Sequence, residues 1–277
     1  MGVSHPALIV PSAANSPHRD TLRESLAKQI PHRLYFVSEE LGGDPGVCVS
    51  PEAGFAERAN LGIRAALSDG ATSLVLANDD TAFEPEALAA LLRVLEEDRV
   101  GVVGARILEW DGRAVQQLGI AVNQTTGRIR VLEHPPRKLQ AVSGAAMAIR
   151  PDCWEELAGF DERYHFYFED VDFCLRAAAL GWDVRRADDA RVRHHGGGTR
   201  SPSSAEGAFH LGRSHSQFVA GLAGTHIERA WRIINSWSAG VAWSLRGSGP
   251  AGLTAFSRGW AEGARKLEAK PITPTEG

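Results

Sequence analysis

The chain has 277 residues, a mass of 29.8 kDa and a net charge of −4, from 30 Lys and Arg against 34 Asp and Glu. Hydrophobic residues make up 43% and charged residues 23%, which excludes disordered, collagen-like and disulfide-rich classes. The negative net charge argues against nucleic acid as a partner. Because the three cysteines form no CxxC pair, no apolar run reaches about 18 residues and residues 1–12 lack a basic leader, we expect a cytoplasmic protein.

The first hundred residues alternate short apolar runs with helical patterns, which predicts a largely parallel sheet covered by helices. The predicted strands are Ala7–Pro11, Arg33–Val37, Val47–Val49 and Ser73–Ala77. The predicted helices are Ser16–Gln29, Gly54–Leu67 and Pro85–Glu97. The fourth strand leads directly into Asn78, Asp79 and Asp80, at the strand end where open α/β sheets bind their ligands.

Beyond Val100 the pattern changes to β-like runs separated by turn residues, which predicts antiparallel or mixed strands. These runs are Val100–Leu108, Ala114–Val122, Ile129–Leu132, Gln140–Arg150 and the shorter Ala190–Arg193, with helices over Cys153–Leu157 and Asp170–Leu180. From Ala205 the chain is helical with breaks at Gly224 and Gly247–Gly249. We therefore predict an α/β domain over 1–204, with a change of pattern between 1–100 and 101–204, and a helical extension over 205–277.

Two acidic clusters have a composition suited to chemistry. The oxygen ligands of Asn78–Asp80 suit Mg²⁺ or Mn²⁺ bound together with phosphate oxygens, although a plain polar turn has the same composition. Three carboxylates lie within Glu169–Asp172, beside the aromatic run 164–168. A helix N-terminus accounts for one or two of them. Crowded carboxylates raise one another's pKa, which is the property that a general base needs.

A histidine pair, His194 and His195, ends a strand-like run and is followed by Gly196–Gly198 and Thr199. Because neighbouring strand residues point to opposite faces, one of the two histidines is expected to meet the acidic residues and the other to pack or face solvent. A single histidine is most often structural, but imidazole also joins carboxylates around Mn²⁺. The glycines permit a phosphate to approach the backbone, with Thr199 as a donor. Small residues at Ser143–Ala145 likewise permit close approach of a ligand to the backbone.

Several segments occur in the order and near-spacing of a known enzyme family. They are Ser143–Arg150, Trp154–Glu162, Phe166–Arg176, Gly181–Trp182 and His194–Gly197. With them, the chain from about Ala7 to Thr199 resembles the inverting nucleotide-sugar glycosyltransferases of family 2, which have the GT-A fold. The similarity is strongest to the rhamnosyltransferase and galactofuranosyltransferase branch. It implies that 1–204 is a GT-A catalytic domain with a nucleotide-binding half (1–100) and an acceptor half (101–204).

The resemblance implies a role for each matching residue. Asp170 falls on the position of the catalytic base, with Glu169 beside it, and Asp80, His194 and Asn78 fall on metal-binding positions. Donor-binding positions are Asp79, Ala53, Gly54, Asn60, Ser12, Ser38, Ser143, Gly144, Ala145 and Thr199. Acceptor-binding positions are Trp154, Tyr167 and Asp172. The implied reaction moves rhamnose or galactofuranose from a dTDP- or UDP-sugar to a hydroxyl of a glycan, lipid-linked or natural-product acceptor, with Mg²⁺ or Mn²⁺.

Two other interpretations stay open at this point. A sugar-nucleotide-binding scaffold without turnover has the same pocket but no need of Asp170. A nucleotidyltransferase needs a glycine-rich basic loop after the first strand, where this chain has Ser12–Ser16.

The helical extension carries Trp231, Trp237 and Trp243 at six-residue spacing. Six residues advance a helix by about 240°, so these rings spread around the axis, which argues against a simple amphipathic anchor. We expect this segment to pack on the catalytic domain or on a second copy of the chain. The alternative is a peripheral contact with the inner membrane surface that brings the site to a lipid-linked acceptor.

Overall fold

The computed structural model describes residues 5–14, 16–136, 139–196 and 204–265. The strands are β1 (Ala7–Pro11), β2 (Arg33–Ser38), β3 (Gly46–Cys48), β4 (Leu74–Ala77), β5 (Thr81–Phe83), β6 (Val100–Leu108), β7 (Val115–Gln117), β8 (Gly119–Asn123), β9 (Arg128–Leu132), β10 (Ala146–Ile149) and β11 (Asp183–His194). The helices are α1 (Arg19–Leu26), α2 (Phe55–Ser68), α3 (Ala87–Leu95), α4 (Pro151–Glu156), α5 (Glu169–Ala179), α6 (Ala205–Gly221) and α7 (His226–Arg265).

Nine strands form one mixed sheet in the order β3-β2-β1-β4-β10-β6-β11-β5, with β7 paired to β6. Strands β1 to β4 are parallel to one another, β10 runs antiparallel between β4 and β6, and β11 runs parallel to β6. Strands β8 and β9 form a separate hairpin. The carboxyl ends of β1, β2, β4, β6 and β11 therefore lie along the same edge of the sheet, together with the start of β10.

The central strands are buried on both faces, which explains their continuous apolar sequence. In β1, Ile9 packs in the hydrophobic cluster that includes α2, α5 and the C-terminal helices, whereas Leu8 and Val10 pack in the cluster that includes α1 and α3. This three-layer arrangement confirms the predicted α/β class, with a mixed sheet, flanking helices and a helical C-terminal extension.

Several predicted boundaries were wrong. The run Ala114–Val122 is not one strand, because Gly119, with φ of +153°, starts a second strand that leaves the main sheet for the β8–β9 hairpin. Only Ala146–Ile149 of Gln140–Arg150 is a strand. Strand β11 begins at Asp183, well before the predicted Ala190. The apolar pattern missed this first part because many of its residues are charged and exposed.

Strand β5 was missed, and two helix starts were placed too early. Helix α1 begins at Arg19 and helix α3 at Ala87, where Glu86 precedes the first turn in the left-handed region. The C-terminal breaks are confirmed, since Gly224 lies between α6 and α7 and α7 is interrupted at Gly249, just before Pro250. Within the described residues, every helix is too short or too polar to cross a bilayer.

Candidate active site

The sheet topology brings the predicted clusters to one edge. The backbone N–H of Asn78, just after β4, donates to the carbonyl of Ala145 at 3.0 Å. The adjacent N–H of Gly144 donates to Asp170 Oδ2 at 3.0 Å. On the other side, the N–H of His195 donates to the carbonyl of Asp80 at 3.0 Å. A continuous set of hydrogen bonds therefore joins the turn after β4 to the start of β10, the first turn of α5 and the end of β11.

Asp80 and His194 form a polar pair at this edge. His194 Nε2 lies 3.2 Å from Asp80 Oδ1 and 3.4 Å from Asn78 Nδ2, while its Nδ1 lies 2.7 Å from Gln116 Oε1. An amide oxygen can only accept, so Nδ1 carries the proton and Nε2 faces the acidic residues. Burial by itself raises the pKa of Asp80, but the hydrogen bond and charge of His194, with the nearby His18, outweigh it, so the pKa lies below its ordinary value.

The Asp80–His194 pair has the geometry of two neighbouring ligands of one cation. Two ligand atoms at right angles around Mg²⁺, each about 2.1 Å from it, lie about 3.0 Å apart, close to the 3.2 Å observed. Within the described part of the chain, no third His, Cys, Asp or Glu joins a ligand cluster. Such a pair fits a cation that takes its other ligands from water and from substrate phosphates, as Mg²⁺ commonly does.

The two histidines have different surroundings, in line with strand alternation. The ring of His195 lies 4.9 Å from that of His18 and 5.5 Å from that of Trp110, centroid to centroid. His194 instead contacts Asp80 and Gln116, as described above. Only the His194 side chain therefore contributes to the candidate cation site.

Asp79 is connected to the end of β1. Ser12 Oγ donates to Asp79 Oδ2 at 2.7 Å and accepts from Arg19 Nε at 2.9 Å. Below this contact, the buried guanidinium of Arg58 donates to the Ser12 and Ala53 carbonyls at 3.0 and 2.9 Å. These bonds hold the end of β1 against the start of α2.

The guanidinium of Arg58 also neutralises the acid that follows β2. Its hydrogen bond to Glu39 lowers the pKa of that carboxyl to about 2, against a smaller opposing effect of burial. Ser38 is completely buried and its Oγ contacts Glu39 Oε2 at 3.3 Å. Ser38 and Ala53 are therefore both buried in the interior.

Asp170 is held by two backbone donors at the N-terminus of α5. Its Oδ2 accepts from Gly144 N–H, and its Oδ1 accepts from Val171 N–H at 2.7 Å. Burial raises the pKa of Asp170, although these two hydrogen bonds partly oppose that shift. The carboxylate is thus fixed in direction and has an increased affinity for a proton.

Glu169 lies deeper than Asp170. Its Oε2 is buried with no hydrogen-bond partner among the described residues. Burial, and secondarily the charge of Asp170, raise the pKa of Glu169 well above its ordinary value. Of the two carboxyls, Glu169 therefore has the more strongly raised proton affinity, and Asp170 ionises more readily.

The segment before Asp170 has a strained backbone. Tyr167 and Phe168 have φ of 68° and 72°, the left-handed region that costs side-chain-bearing residues about 1–2 kcal/mol each. Helix α6 holds this segment, since the Phe168 ring stacks on His215 at 4.8 Å and Ser214 Oγ donates to the Phe166 carbonyl at 2.6 Å. Strain of this kind persists where surrounding contacts over-determine the conformation, commonly at functional sites.

Three predicted ligand-binding residues lie inside the protein. The Asn60 amide bonds both the N–H and the carbonyl of Phe160 at 2.9 Å, and Asp172 is paired with Arg176 at 2.7 Å. Trp154 is buried in the core. The polar groups of Asn60 and Asp172 are occupied by these contacts, so none of the three side chains faces an open pocket.

The two remaining predicted donor-binding positions are Gly54 and Thr199. Gly54 serves close packing, because a Cβ there would lie 2.7 Å from the His165 carbonyl oxygen. Thr199 lies outside the described residues.

Gln116 and Arg58 are the positions that the sequence patterns did not single out. Gln116 reaches His194 because β7 pairs with β6 beside β11. A lone glutamine in a short polar strand has no distinctive sequence signal. Arg58 is one of many arginines in amphipathic helices, and only its burial reveals its role.

Comparison with known proteins agrees with this arrangement. The model of the family described as "Glycosyltransferase like family 2" matches residues 46–211. N-acetylglucosaminyl-diphospho-decaprenol L-rhamnosyltransferase of Mycobacterium tuberculosis is 29% identical over 195 residues, covering 63% of this chain and 60% of the relative. The O-antigen biosynthesis protein RfbC of Myxococcus xanthus is 31% identical over 147 residues, which is 48% of this chain and 12% of that protein. The chain thus spans about 60% of the length of the rhamnosyltransferase that it matches.

Solved structures show the same fold. The mannosyltransferase PcManGT from Pyrobaculum calidifontis, in complex with GDP-Man and Mn²⁺, aligns with a TM-score of 0.56 at 15% identity, covering 97% of this chain and 77% of that one. S. aureus TarS 1-349 aligns with a TM-score of 0.54 at 15% identity, covering 87% and 73%. These neighbours are GT-A glycosyltransferases. The family match covers more than half of the chain and the fold agrees with it, so this chain belongs to glycosyltransferase-like family 2.

Proposed function

We propose that this protein transfers a sugar from a nucleotide-diphosphate donor to a hydroxyl group of its acceptor, with inversion at the anomeric carbon. The observation that carries this proposal is the position of Asp170. Its carboxylate is fixed by two backbone N–H groups at the sheet edge that also holds the Asp80–His194 pair. A fixed base and a polar pair suited to a diphosphate-bound cation are the two parts that such a transfer needs.

In the proposed mechanism, Asp170 orients the acceptor hydroxyl and takes its proton as the oxygen attacks the anomeric carbon. The C–O bond to the diphosphate breaks on the opposite face, which inverts the configuration. The raised pKa of Asp170 favours proton capture by its carboxylate, and two backbone hydrogen bonds prevent it from rotating away. Burial of Glu169 raises its pKa, which disfavours a second negative charge beside the base.

Asp80 and His194, with Asn78 beside them, would hold Mg²⁺ or Mn²⁺. The cation would neutralise the charge that develops on the departing diphosphate. Gln116 fixes the His194 ring so that Nε2 points toward Asp80. PcManGT and GalNAc-T7 were each crystallised with Mn²⁺, which supports use of a divalent cation here.

For the donor, we propose a pocket formed by Ser12, Asp79, the Ser143–Ala145 backbone and the chain around Ser38 and Ala53. The similarity to an L-rhamnosyltransferase supports a rhamnose-type donor, with a galactofuranose-type donor as the other member of the proposed class, carried by dTDP or UDP. That relative's name includes a lipid diphosphate acceptor, which supports a lipid-linked acceptor here. Tyr167, half-buried beside the base, is the described aromatic side chain that we assign to the acceptor side.

A donor screen tests this proposal. Thermal shift with dTDP-rhamnose, UDP-galactofuranose and GDP-mannose, each with Mn²⁺ or Mg²⁺, is expected to show strong stabilisation by one of the first two. Wild type should also hydrolyse that donor slowly, whereas Asp170→Asn should bind it without turnover. Binding without turnover by wild type would indicate a scaffold, and release of diphosphate from a nucleoside triphosphate would indicate a nucleotidyltransferase.

A further inference from the structure

Four of the seven exposed large apolar side chains of α7 lie on one face, whereas Ile233, Trp237 and Trp243 lie outside it. Relative to Ile227, at 100° per residue, Trp231, Ile234 and Leu245 lie within an arc of about 60°. We call these four residues the outer stripe of α7. Ile227 is 83% exposed, Ile234 62% and Trp231 54%. Trp237 lies at the margin of the stripe, whereas Trp243 lies on the far side of the helix.

The opposite face of α7 is packed, which fixes the outer stripe toward solvent. Arg232, Ser236, Gly240 and Ser244, spaced four residues apart, face inward. Arg232 donates to the Ala223 carbonyl at 2.7 Å and Ser236 donates to the Thr126 carbonyl at 2.9 Å. A Cβ at position 240 would overlap the Phe256 ring, so the two arms of α7 are in close contact there. The helix cannot rotate to bury the stripe without breaking these contacts.

The spacing of the tryptophans alone therefore does not show which residues of α7 form the exposed stripe. The three tryptophans do spread around the axis, but two isoleucines and a leucine complete a stripe with Trp231. Packing of the extension on the catalytic domain accounts for only one face of this helix. One face packs on the protein, and the other is free for a partner.

The charge around the outer stripe suits an anionic partner. Of the five Arg in α7, Arg246 lies near the stripe, whereas Arg232 faces inward and Arg258 and Arg265 lie beyond the break at Gly249. Arg128 of β9 donates to the Asn235 carbonyl at 3.2 Å, on the flank of the stripe, and Arg130 projects from the same face of that strand. Arg246 follows Leu245 directly and is exposed.

We propose that the outer stripe of α7 lies on an anionic membrane surface. Exposed Trp and Ile side chains flanked by arginines are the combination that partitions into the headgroup region. Because no helix among the described residues is able to span a bilayer, this is contact in the plane of the surface. Its purpose rests on the proposed function, since it would bring Asp170 to a lipid-linked acceptor.

The same helices support the catalytic side of the molecule. His215 of α6 contacts the Gly127 carbonyl in the turn before β9 at 2.9 Å and stacks on Phe168, two residues before the base. A helical unit bound to a membrane through α7 would thus hold the strained segment and Asp170 at a constant height above that membrane.

Vesicle flotation tests the inference on the full chain. We expect wild type to float with phosphatidylcholine vesicles containing phosphatidylglycerol, and less with pure phosphatidylcholine or at high salt. The variants Trp231→Ser and Ile227→Ser/Ile234→Ser should lose at least about tenfold in partitioning, because each removes apolar surface from the stripe. Trp243→Ser is the matched control, an exposed tryptophan outside the stripe, and should float like wild type.

Two outcomes would overturn the inference. Equal flotation of all variants would show that the stripe does not carry the contact. Failure to float, combined with a dimer in light scattering that Trp231→Ser dissociates, would assign the stripe to a second copy of the chain. Circular dichroism checks that every variant is folded. Thermal shifts with UDP or dTDP measure nucleotide binding independently of flotation, so that the two proposals are tested separately. A protein that floats but binds neither nucleotide contradicts the proposed function alone, and one that turns over donor without floating contradicts this inference alone.

Discussion

The two acidic clusters at the sheet edge have similar composition and opposite electrostatics. In the turn after β4, Asp80 is paired with His194 and its pKa is lowered. At the start of α5, Glu169 and Asp170 lie where burial outweighs their hydrogen bonds and their pKa values are raised. The lowered pKa of the first cluster favours negative charge and suits a cation, whereas the raised pKa values of the second favour uptake of a proton and suit a base. Environment, and not residue type, separates the two roles.

The largest expected effect comes from removing the base. Asp170→Asn keeps the shape of the side chain but cannot take a proton, so transfer should fall by roughly 10² to 10⁴ while donor affinity changes only a few-fold. Steady-state kinetics with donor-binding titrations measure both. Full activity in Asp170→Asn would show that the second cluster has no role as a base. If Glu169→Gln is inactive while Asp170→Asn is active, the base is Glu169 and not Asp170.

The cation assignment of the first cluster predicts the next largest effect. Asp80→Ala and His194→Ala should each weaken Mn²⁺-dependent donor binding by about tenfold or more, because each removes one of two protein ligands. His195→Ala is the matched control, since its ring contacts His18 and Trp110 instead. Calorimetry with and without Mn²⁺ measures the effect. Transfer that continues undiminished in excess chelator would contradict the assignment.

Gln116 tests whether the orientation of His194 matters. Gln116→Leu removes the acceptor for His194 Nδ1–H, which should let the ring change tautomer and reduce Mn²⁺ affinity by about tenfold. Gln117→Leu, on the neighbouring position of the same strand, is the control. A Gln116→Leu protein with unchanged Mn²⁺ affinity and reduced thermal stability would assign this residue a structural role only.

The smallest expected effect on activity comes from the buried Glu169. If this carboxyl is protonated, Glu169→Gln reproduces its charge and shape, so activity near neutral pH should change only a few-fold. Its folded pKa lies above the ordinary 4.5, so wild type loses stability as pH rises from that value toward the folded pKa. Glu169→Gln lacks this loss, and urea unfolding at several pH values should show its relative stability increasing with pH. A constant difference would mean that Glu169 is ionised in the folded protein.

Local patterns predicted much of this molecule. Alternating apolar and helical segments predicted the layered sheet, and the order of the acidic and histidine clusters predicted the family, which the match over residues 46–211 confirms. The roles of Asp80, His194 and Asp170 stay predictions that the geometry supports. Asn60 and Asp172 show the limit of this approach, because a polar residue at a motif position has the same sequence signal whether it meets a ligand or bonds to Phe160 or Arg176 inside the core.

The amino-acid sequence by itself therefore determined the fold class and the family, because these depend on periodicity and on short motifs within single elements. Only the tertiary structure decided the rest. Pairing of Gln116 with His194, burial of Glu169 and the outward orientation of the α7 stripe each arise from contacts between elements far apart in the chain. Such contacts set solvent access and hydrogen-bond partners, and these in turn set pKa values and exposed surface, which no local pattern specifies.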